Sequence, residues 1–162
     1  MAKLKRSAYR TYIRFSDSDA WYLIGKGIDD MSVEMNGTFE QTTDITGETT
    51  TTDQGYQPQI SVEPYYANPS DTIYEKLQDI ALNRLSGDDA VAEYLEVIVS
   101  DTSATTHSAW KEACRVEIAS YGGDTNGFGI NFNIWADGDR EEGTVTYTDK
   151  VPTFTANSAL GG

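Results

Sequence analysis

The clearest pattern of apolar and polar positions lies in residues 70–87, SDTIYEKLQDIALNRLSG. Apolar side chains recur there at the helical period, while charged and amide side chains fill the positions between them. The apolar stripe consists of Ile73, Leu77, Ile80, Ala81 and Leu85. Thr72 and Glu75 have the spacing of a capping box, and Gly87 supplies a stop signal. So short a stripe cannot form a core alone, and the pattern predicts one helix, over about 71–86, that packs against a sheet.

Most of the remaining chain alternates apolar and polar residues with a period of two, which is typical of β-strands. Such segments are Met31–Met35, Tyr56–Tyr65, Tyr94–Ser100, Ala109–Tyr121, Gly129–Ala136 and Thr144–Thr148. Thr38–Ile45 is predicted as a strand because it follows a hairpin turn signal and would pair with the strand before it. That signal is Asn36-Gly37, and Asp137–Glu142 predicts a turn before the last strand closes its own hairpin. We therefore expect a mainly β fold, an antiparallel β-sandwich or barrel-like pair of sheets with the single flanking helix.

One stretch inside this β pattern has no apolar residue at all. It is TGETTTTDQG, residues 46–55. Its run of threonines has a high strand propensity, unlike a flexible linker. Because nothing in the stretch can occupy a core position, we expect a long hairpin tip that projects from the domain and contacts a neighbouring subunit. The residues predicted to make that contact are Thr46, Glu48, Thr49, Thr50, Thr51, Thr52 and Asp53.

Charge is distributed unevenly along the chain of 162 residues, whose net charge is −14. The first fourteen residues contain no acid and five basic residues, which are Lys3, Lys5, Arg6, Arg10 and Arg14. Removing these five positive charges leaves −19 on the rest of the chain. An acidic body repels nucleic acid, whereas a basic arm has a counter-surface on another copy of the protein. We therefore expect a basic N-terminal arm (1–15), a β-sandwich domain (16–150) and a C-terminal extension (151–162).

Signals for membranes, secretion and disulfides are missing from the sequence. No run of about 18 apolar residues is present, so no membrane segment is predicted. The N-terminal segment is basic but lacks the apolar run of a signal peptide, and we expect no secretory signal. A single cysteine, Cys114, excludes an internal disulfide framework and fits a reducing compartment.

Residues that usually catalyse reactions or bind metals are sparse. One histidine, His107, lies in a polar turn, and with a single cysteine the ligand spacing of a zinc site is absent. Carboxylate pairs are numerous, but 26 acidic residues make such pairs expected by composition. Residues 137–142 begin like a calcium loop, yet Glu142 stands where glycine is required and Thr148 where a bidentate glutamate belongs. The glycine-rich residues 122–129 open no helix, and the sequence predicts neither an enzyme nor a bound cofactor.

Several short segments between roughly residues 30 and 150 have a characteristic order and spacing. They are Val33–Ile45 with Asp44-Ile45-Thr46-Gly47, Gly55–Val62, Ile73–Leu77, Ala113–Ile118, Asn131–Ile134, Gly138-Asp139 and Gly143–Val145. In these segments the chain resembles the tail tube (major tail) proteins of long-tailed bacteriophages, especially those that infect Gram-positive hosts. It departs from them at Arg140-Glu141-Glu142, where a less charged turn is expected.

This resemblance implies a structural protein, a β-sandwich with a flanking helix whose subunits form hexameric rings. The rings stack into a tube through a long hairpin loop and terminal arms, and DNA passes through the lumen without specific binding. The implied partners are other copies of the chain and other tail proteins, namely the tape measure, the tail terminator and the baseplate or tip. The implied location is the virion tail, assembled in the cytoplasm of the host bacterium.

Two other classes of function stay open on the sequence. A secreted or surface β-sandwich module that binds sugar or protein would share the strand pattern, although the basic arm and the missing signal peptide count against it. A hydrolase with paired carboxylates is the weaker alternative, since no nucleophile or acid–base motif accompanies the pairs. An acidic body suits a lumen through which DNA slides, and the sparse chemistry suits a scaffold.

Overall fold

The computed structural model describes residues 3–16, 18–25, 31–138 and 140–157. Within these ranges the chain forms one α-helix, α1 (Tyr74–Leu82), and eleven strands. The strands are β1 (Tyr9–Arg14), β2 (Tyr22–Ile24), β3 (Val33–Glu34), β4 (Phe39–Thr43), β5 (Thr49–Asp53), β6 (Gln59–Tyr66), β7 (Val91–Ile98), β8 (His107–Tyr121), β9 (Gly129–Ala136), β10 (Glu141–Thr148) and β11 (Val151–Ala156). Asp139 of the predicted last turn, residues 1–2 of the predicted arm and residues 158–162 of the predicted extension lie outside the described residues.

The predicted fold class is confirmed, because the fold is mainly β, antiparallel, and has one helix. Nine strands form one curled sheet in the order β2-β1-β7-β8-β9-β6-β3, with β10 and β11 joined to it through β8. Along one edge β8 pairs with β7. Along its other edge β8 pairs first with β10, as far as Lys111, and then with β9, from Cys114 onward. The sheet therefore divides into two branches at β8, while β4 and β5 form a separate two-stranded sheet.

The larger hydrophobic core lies between α1 and one face of the sheet. Leu77 and Ile80 of α1 are buried there together with Ile73, which precedes the helix. The sheet contributes Ile60, Val62, Cys114, Val116, Ile130, Phe132 and Ile134 to this core. The apolar stripe predicted from the helical period is thus the face that α1 buries, because apolar surface is stabilised by its removal from water.

A smaller core lies on the opposite face, where β10 covers β1 and β7. Its buried members are Tyr12, Leu95, Val97, Val99, Ala109 and Val145, with Trp21, Tyr147 and Phe154 packed against them. The strands β1 and β7 consequently bury both of their faces. Ile13 and Tyr94 face the larger core, and their neighbours Tyr12 and Leu95 face the smaller one.

The N-terminal end of α1 differs from the prediction, since the helix is shorter than 71–86. Thr72 and Glu75 form no capping box, so that prediction is wrong. Ile73 occupies the N-cap position with helical backbone angles, and no side chain caps the first turn. The carboxylate of Asp71 instead accepts a hydrogen bond of 2.8 Å from the hydroxyl of Tyr65, which ties the start of the helix to β6.

The C-terminal end of α1 is a Schellman turn that the sequence did not indicate. The N–H of Leu85 donates to the carbonyl oxygen of Ile80 at 3.1 Å, and Arg84 has a left-handed φ of 55°. Glycine usually occupies this position because it has no Cβ to clash. The stop predicted at Gly87 is therefore wrong, since the helix has ended before that residue.

The hairpin turn predicted at Asn36-Gly37 is wrong as well. The strand before it, β3, pairs with β6, and the strand after it, β4, pairs with β5. Asn36 has a left-handed φ of 50°, and its side-chain N–H donates to the carbonyl oxygen of Gln57 at 3.0 Å. A Cβ on Gly37 would lie only 3.2 Å from the ring of Tyr56, so the glycine allows close packing where the chain passes between the two sheets.

The last predicted hairpin also pairs differently, because β10 pairs with β8 and β11 and not with β9. Asp149 and Lys150 join β10 to β11 with φ of 52° and 68°, the backbone of a type I′ turn that Asn-Gly usually supplies. Residues 151–156 of the predicted extension (151–162) form β11, a strand of the main sheet.

Two leucines of the same helix test how far α1 depends on its buried stripe. Leu77 is fully buried, so Leu77→Ala should lower the free energy of unfolding by about 2–5 kcal/mol through lost burial and a cavity. Leu82 is 48% exposed, and Leu82→Ala should change it by less than about 0.5 kcal/mol. Urea denaturation measures both values, and equal effects would contradict the packing described for α1.

Candidate assembly surfaces

The most exposed part of the fold is the two-stranded sheet of β4 and β5, named here the ribbon (residues 38–55). Every residue from 34 to 54 is exposed, and neither strand contributes to a core. The ribbon is held by its own ladder, in which the hydroxyls of Thr43 and Thr49 lie 3.1 Å apart. A two-stranded hairpin is only marginally stable in water, so the ribbon gains from lying against another surface.

The ribbon contains the residues that the sequence assigned to a projecting tip. Thr49–Asp53 form the returning strand β5, and Thr46 and Glu48 lie in the turn before it. The predicted tip over 46–55 is therefore displaced, because the turn itself spans residues 44–48. Contact between these residues and a neighbouring subunit stays a prediction.

The turn of the ribbon is built around the carboxylate of Asp44. Its Oδ1 accepts hydrogen bonds from the backbone N–H groups of Thr46 at 2.9 Å and Glu48 at 3.2 Å. Hydrogen bonds from the Thr46 hydroxyl and from these backbone groups lower the pKa of Asp44, which is therefore charged at neutral pH. With Glu40, Glu48 and Asp53 the ribbon carries four carboxylates and no basic residue, and none of the four has an ion pair within the described residues.

Large apolar side chains are also exposed on the ribbon, and the sequence did not predict this exposure. Ile45 in the turn is fully exposed, and Phe39 at the start of β4 is more than half exposed. Met35 and Tyr56 extend this exposure to the base of the ribbon. Large apolar groups are thus exposed at both ends of the ribbon, which makes the ribbon a candidate interaction surface. The place of Ile45 directly before Thr46-Gly47, a turn sequence, is the signal that could have revealed it.

The basic N-terminal segment is an arm only in part. Residues 3–6 precede the sheet and are exposed, but Arg10 and Arg14 lie in β1, which pairs with strands on both sides. Arg14 donates to the carboxylate of Glu93 at 3.0 Å, so its charge is used within the sheet. Residues 9–14 of the predicted arm (1–15) thus form the strand β1, and the predicted domain bounds stay a prediction. The role of the exposed cations in subunit contacts stays a prediction.

An open groove of about 1020 Å³ lies beside β1 and β2, and it is named here the basic groove. Its walls include the apolar and aromatic side chains of Trp21, Leu23 and Tyr147, and its cations are Arg6, Arg10 and Lys150. None of its described lining residues is acidic. The sequence did not predict this surface, because its residues come from the N-terminal segment and from the β10–β11 turn, which are distant along the chain.

The two arginines of the basic groove are held by groups other than carboxylates among the described residues. Arg6 donates to the carbonyl oxygen of Tyr9 at 2.7 Å and to that of Met31 at 3.1 Å. The guanidinium of Arg10 lies 5.5 Å from the centre of the Tyr147 ring. Carbonyl oxygens and aromatic faces orient a cation without neutralising it, so both charges remain available to an anionic partner.

A buried polar cluster surrounds Arg140, the residue at which the chain departs from the resembling family. The guanidinium of Arg140 forms ion pairs with Glu96 and, at 3.2 Å, with Glu112, and both glutamates are almost fully buried. Tyr9 donates to Glu96, and Tyr94 donates to Glu112 at 2.7 Å. Burial first, and then these carboxylates, raise the pKa of both tyrosines, which therefore stay protonated and donate. These contacts show that the cluster joins polar side chains within the packing of the sheet.

The other residues considered for chemistry lie apart from one another. His107 begins β8, with its ring centre 5.8 Å from that of Tyr147. Cys114 is buried in the larger core, where burial raises the pKa of its thiol. No group of three or more His, Cys, Asp or Glu residues in the described ranges is placed to hold a metal ion. No helix found in those ranges is long and apolar enough to cross a membrane.

Solved structures that share this fold include two components of contractile or phage-related particles. The sheath/tube terminator of the extracellular contractile injection system PVC, in its extended state, matches with a TM-score of 0.53 and 10% identity, over 88% of this chain and 97% of that one. The tube-terminating cap of the anti-feeding prophage matches with a TM-score of 0.52 and 13% identity, over 91% of this chain and 93% of that one. Neither a protein-family model nor a curated protein sequence matches the chain.

The chain has a tail-related fold. At these identities the likeness concerns the fold alone, and it agrees with the predicted tail-related class. Both neighbours are structural proteins of contractile, phage-tail-like particles. The narrower prediction, a tail tube protein of a Gram-positive siphophage, is not reached by this comparison and stays a prediction.

The cluster around Arg140 gives a test of its structural importance. Arg140→Met would leave two buried carboxylates without their cation and should lower the free energy of unfolding by about 1–3 kcal/mol. The expected loss is below that of a fully buried pair because the Arg140 side chain is 40% exposed. Lys76→Met, at a half-buried position of α1 without an ion pair among the described residues, is the matched control and should change stability by less than about 0.5 kcal/mol. Equal denaturation curves for the two variants would show that the cluster contributes nothing.

Proposed function

We propose that this chain is a structural subunit of a phage tail or a phage-tail-like particle, where copies form rings that stack into a tube. The fold that it shares with two tube-terminating proteins is the observation that carries the proposal. The ribbon supports it, because a fully exposed hairpin with apolar and acidic side chains has no packing role within its own subunit. We take the rings to be hexameric from the resemblance to tail tube proteins, and other tail proteins would bind the open ends of the tube.

The proposed conduit needs a wall that does not hold DNA, and one face of the sheet meets this requirement. On the outer face of β6, β9 and β8, Ser61, Asn133 and Glu117 lie side by side in register. Arg115, the cation beside them, is paired with Asp137 at 2.6 Å. A wall of amide, hydroxyl and carboxylate groups offers phosphates no free cation to bind. We therefore propose that this face lines the lumen and that DNA slides along it.

A second candidate function is that of a terminator that ends a tube and is not repeated along it. The descriptions of both structural neighbours favour this candidate, since both are tube terminators. The two functions differ in growth, because a tube subunit adds to its own rings and a terminator does not. Negative-stain electron microscopy of the purified protein separates them: stacked rings or tubes indicate a tube subunit, and single rings that never elongate indicate a terminator. Monodisperse monomers at all concentrations would contradict both.

The ribbon gives the first test of assembly. Replacing residues 39–53 by an Asn-Gly turn keeps the backbone hydrogen bonds that join Thr38 to Gln54 and Gly55 at the base of the ribbon. Because no removed residue belongs to a core, the free energy of unfolding should change by less than about 1 kcal/mol. The folded variant should form no tubes under conditions in which the wild type does. Tubes of normal length from this variant would contradict a role for the ribbon.

The proposed lumen face gives a second test, based on charge. With 26 acidic and 12 basic residues, the wild-type subunit should show no measurable binding to duplex DNA at physiological salt in a band-shift assay. The double substitution Glu63→Lys and Glu117→Lys places two cations on exposed positions of this face. Assembled from this variant, tubes should retain DNA that wild-type tubes release. A band shift by the wild type at micromolar concentration would contradict the proposed conduit.

A further inference from the structure

The ribbon and the basic groove are complementary surfaces at different places on one subunit. We propose that the turn of the ribbon of one subunit docks in the basic groove of a neighbouring copy. This inference rests on the proposed function, because it states where a ribbon that joins subunits makes its contact.

The groove is not filled by the ribbon of its own subunit. Ile45 in the turn is fully exposed, and no ion pair within the described residues joins Asp44 or Glu48 to Arg6 or Arg10. Among the described residues, each subunit therefore presents an open groove and an unpacked ribbon at the same time. Docking of a second copy would fill the groove and cover the ribbon in one contact.

Charge favours this pairing over other contacts between copies. The ribbon has four carboxylates and no cation, while the described lining of the groove has three cations and no carboxylate. With a net charge of −14, most other surfaces of two copies repel each other. Opposed patches of this kind select the correct orientation during an encounter and exclude others. The groove is thus the surface on which an acidic ribbon meets attraction.

Apolar side chains on both surfaces add a second contribution to the proposed contact, beside the attraction between charges. Ile45 directly follows Asp44 and lies three residues before Glu48, so the turn presents an apolar side chain and two acidic residues together. In the groove, Trp21 and Leu23 form apolar walls beside the cations. A buried apolar anchor within a rim of opposite charges is the arrangement that concentrates binding energy at protein interfaces.

Cysteine cross-linking between two variants tests the contact directly. Ile45→Cys and Leu23→Cys are made in separate chains, which are mixed, assembled and oxidised. The native Cys114 is fully buried and will not compete. We expect a disulfide-linked dimer between the two variants. As the control, Leu82→Cys replaces Leu23→Cys, because both leucines are 48% exposed but Leu82 lies on α1. It should give roughly tenfold less dimer, since a disulfide needs Cα atoms within about 7 Å.

Charge reversal tests the pairing without cysteine chemistry. Arg6→Glu should raise the concentration needed for assembly by roughly fivefold or more. This factor corresponds to the loss of about 1 kcal/mol, the contribution of one exposed ion pair. Lys150→Glu reverses a second charge of the groove. Because Lys150 lies in an exposed turn, this substitution should leave the pairing of the strands in place. Adding Glu48→Lys to either variant should restore assembly, whereas Lys76→Glu on α1 should leave it unchanged.

The outcomes separate this inference from the proposed function. Rings or tubes that form without a disulfide between the Ile45→Cys and Leu23→Cys variants would overturn the docking site and leave the proposed function intact. Failure of Glu48→Lys to restore either reversal would overturn the electrostatic pairing. A wild-type chain that stays monomeric at every concentration would overturn both the inference and the proposed function.

Discussion

The fold depends on the shared strand β8, because both cores and both branches of the sheet are set by its pairing. Its partners are β7 on one edge and, in succession, β10 and β9 on the other. Side chains alternate along a strand, so Ala109 faces the smaller core while Cys114 and Val116 face the larger one. A slip of one residue would send both sets to the wrong faces, and the register of β8 therefore fixes the two cores together.

Two buried carboxylates lie near the point where β8 changes partner, and Arg140 forms ion pairs with both. The partner changes between Lys111 and Cys114, so Glu112 lies in the fork between the two branches. Glu96 of β7 lies nearby, and Arg140 binds both carboxylates from the chain that leads out of β9 into β10. The arginine at this departure from the resembling family is thus explained by the two buried carboxylates that it pairs with, since buried charges need partners.

The elements that the sequence predicted correctly are those in which burial sets the period of the side chains. The stripe of Leu77 and Ile80 and the alternation in β8 and β9 are examples. Predictions failed where the choice of neighbour or a left-handed residue decides the structure. Asn36-Gly37 carries a strong turn signal but joins two sheets, whereas Asp149-Lys150 forms a tight turn without glycine. Periodicity shows which side chains are buried but not which strand lies alongside.

The two candidate surfaces also differ in how far the sequence predicts them. The ribbon is predictable in outline, because a stretch without apolar residues between 46 and 55 cannot enter a core. The basic groove was beyond sequence reasoning, since the β1 and β2 region and the turn at Lys150 meet only in the folded chain. Arg10 and Arg14 illustrate the limit, because their charge suggested a free arm while Tyr12 and Ile13 between them are core residues.

The separation of charge within the subunit bears on the geometry of assembly. Two copies with a net charge of −14 repel each other beyond contact, and salt confines this repulsion to about 8 Å at physiological ionic strength. Two copies then attract each other only where a basic patch of one meets an acidic surface of the other. The basic groove and the acidic ribbon are such a pair, and they lie at different places on the subunit. Contact between unlike surfaces is head-to-tail and does not close into a two-fold dimer. In the proposed contact, each added copy presents another groove and another ribbon, so growth would continue until a ring closes or a tube ends.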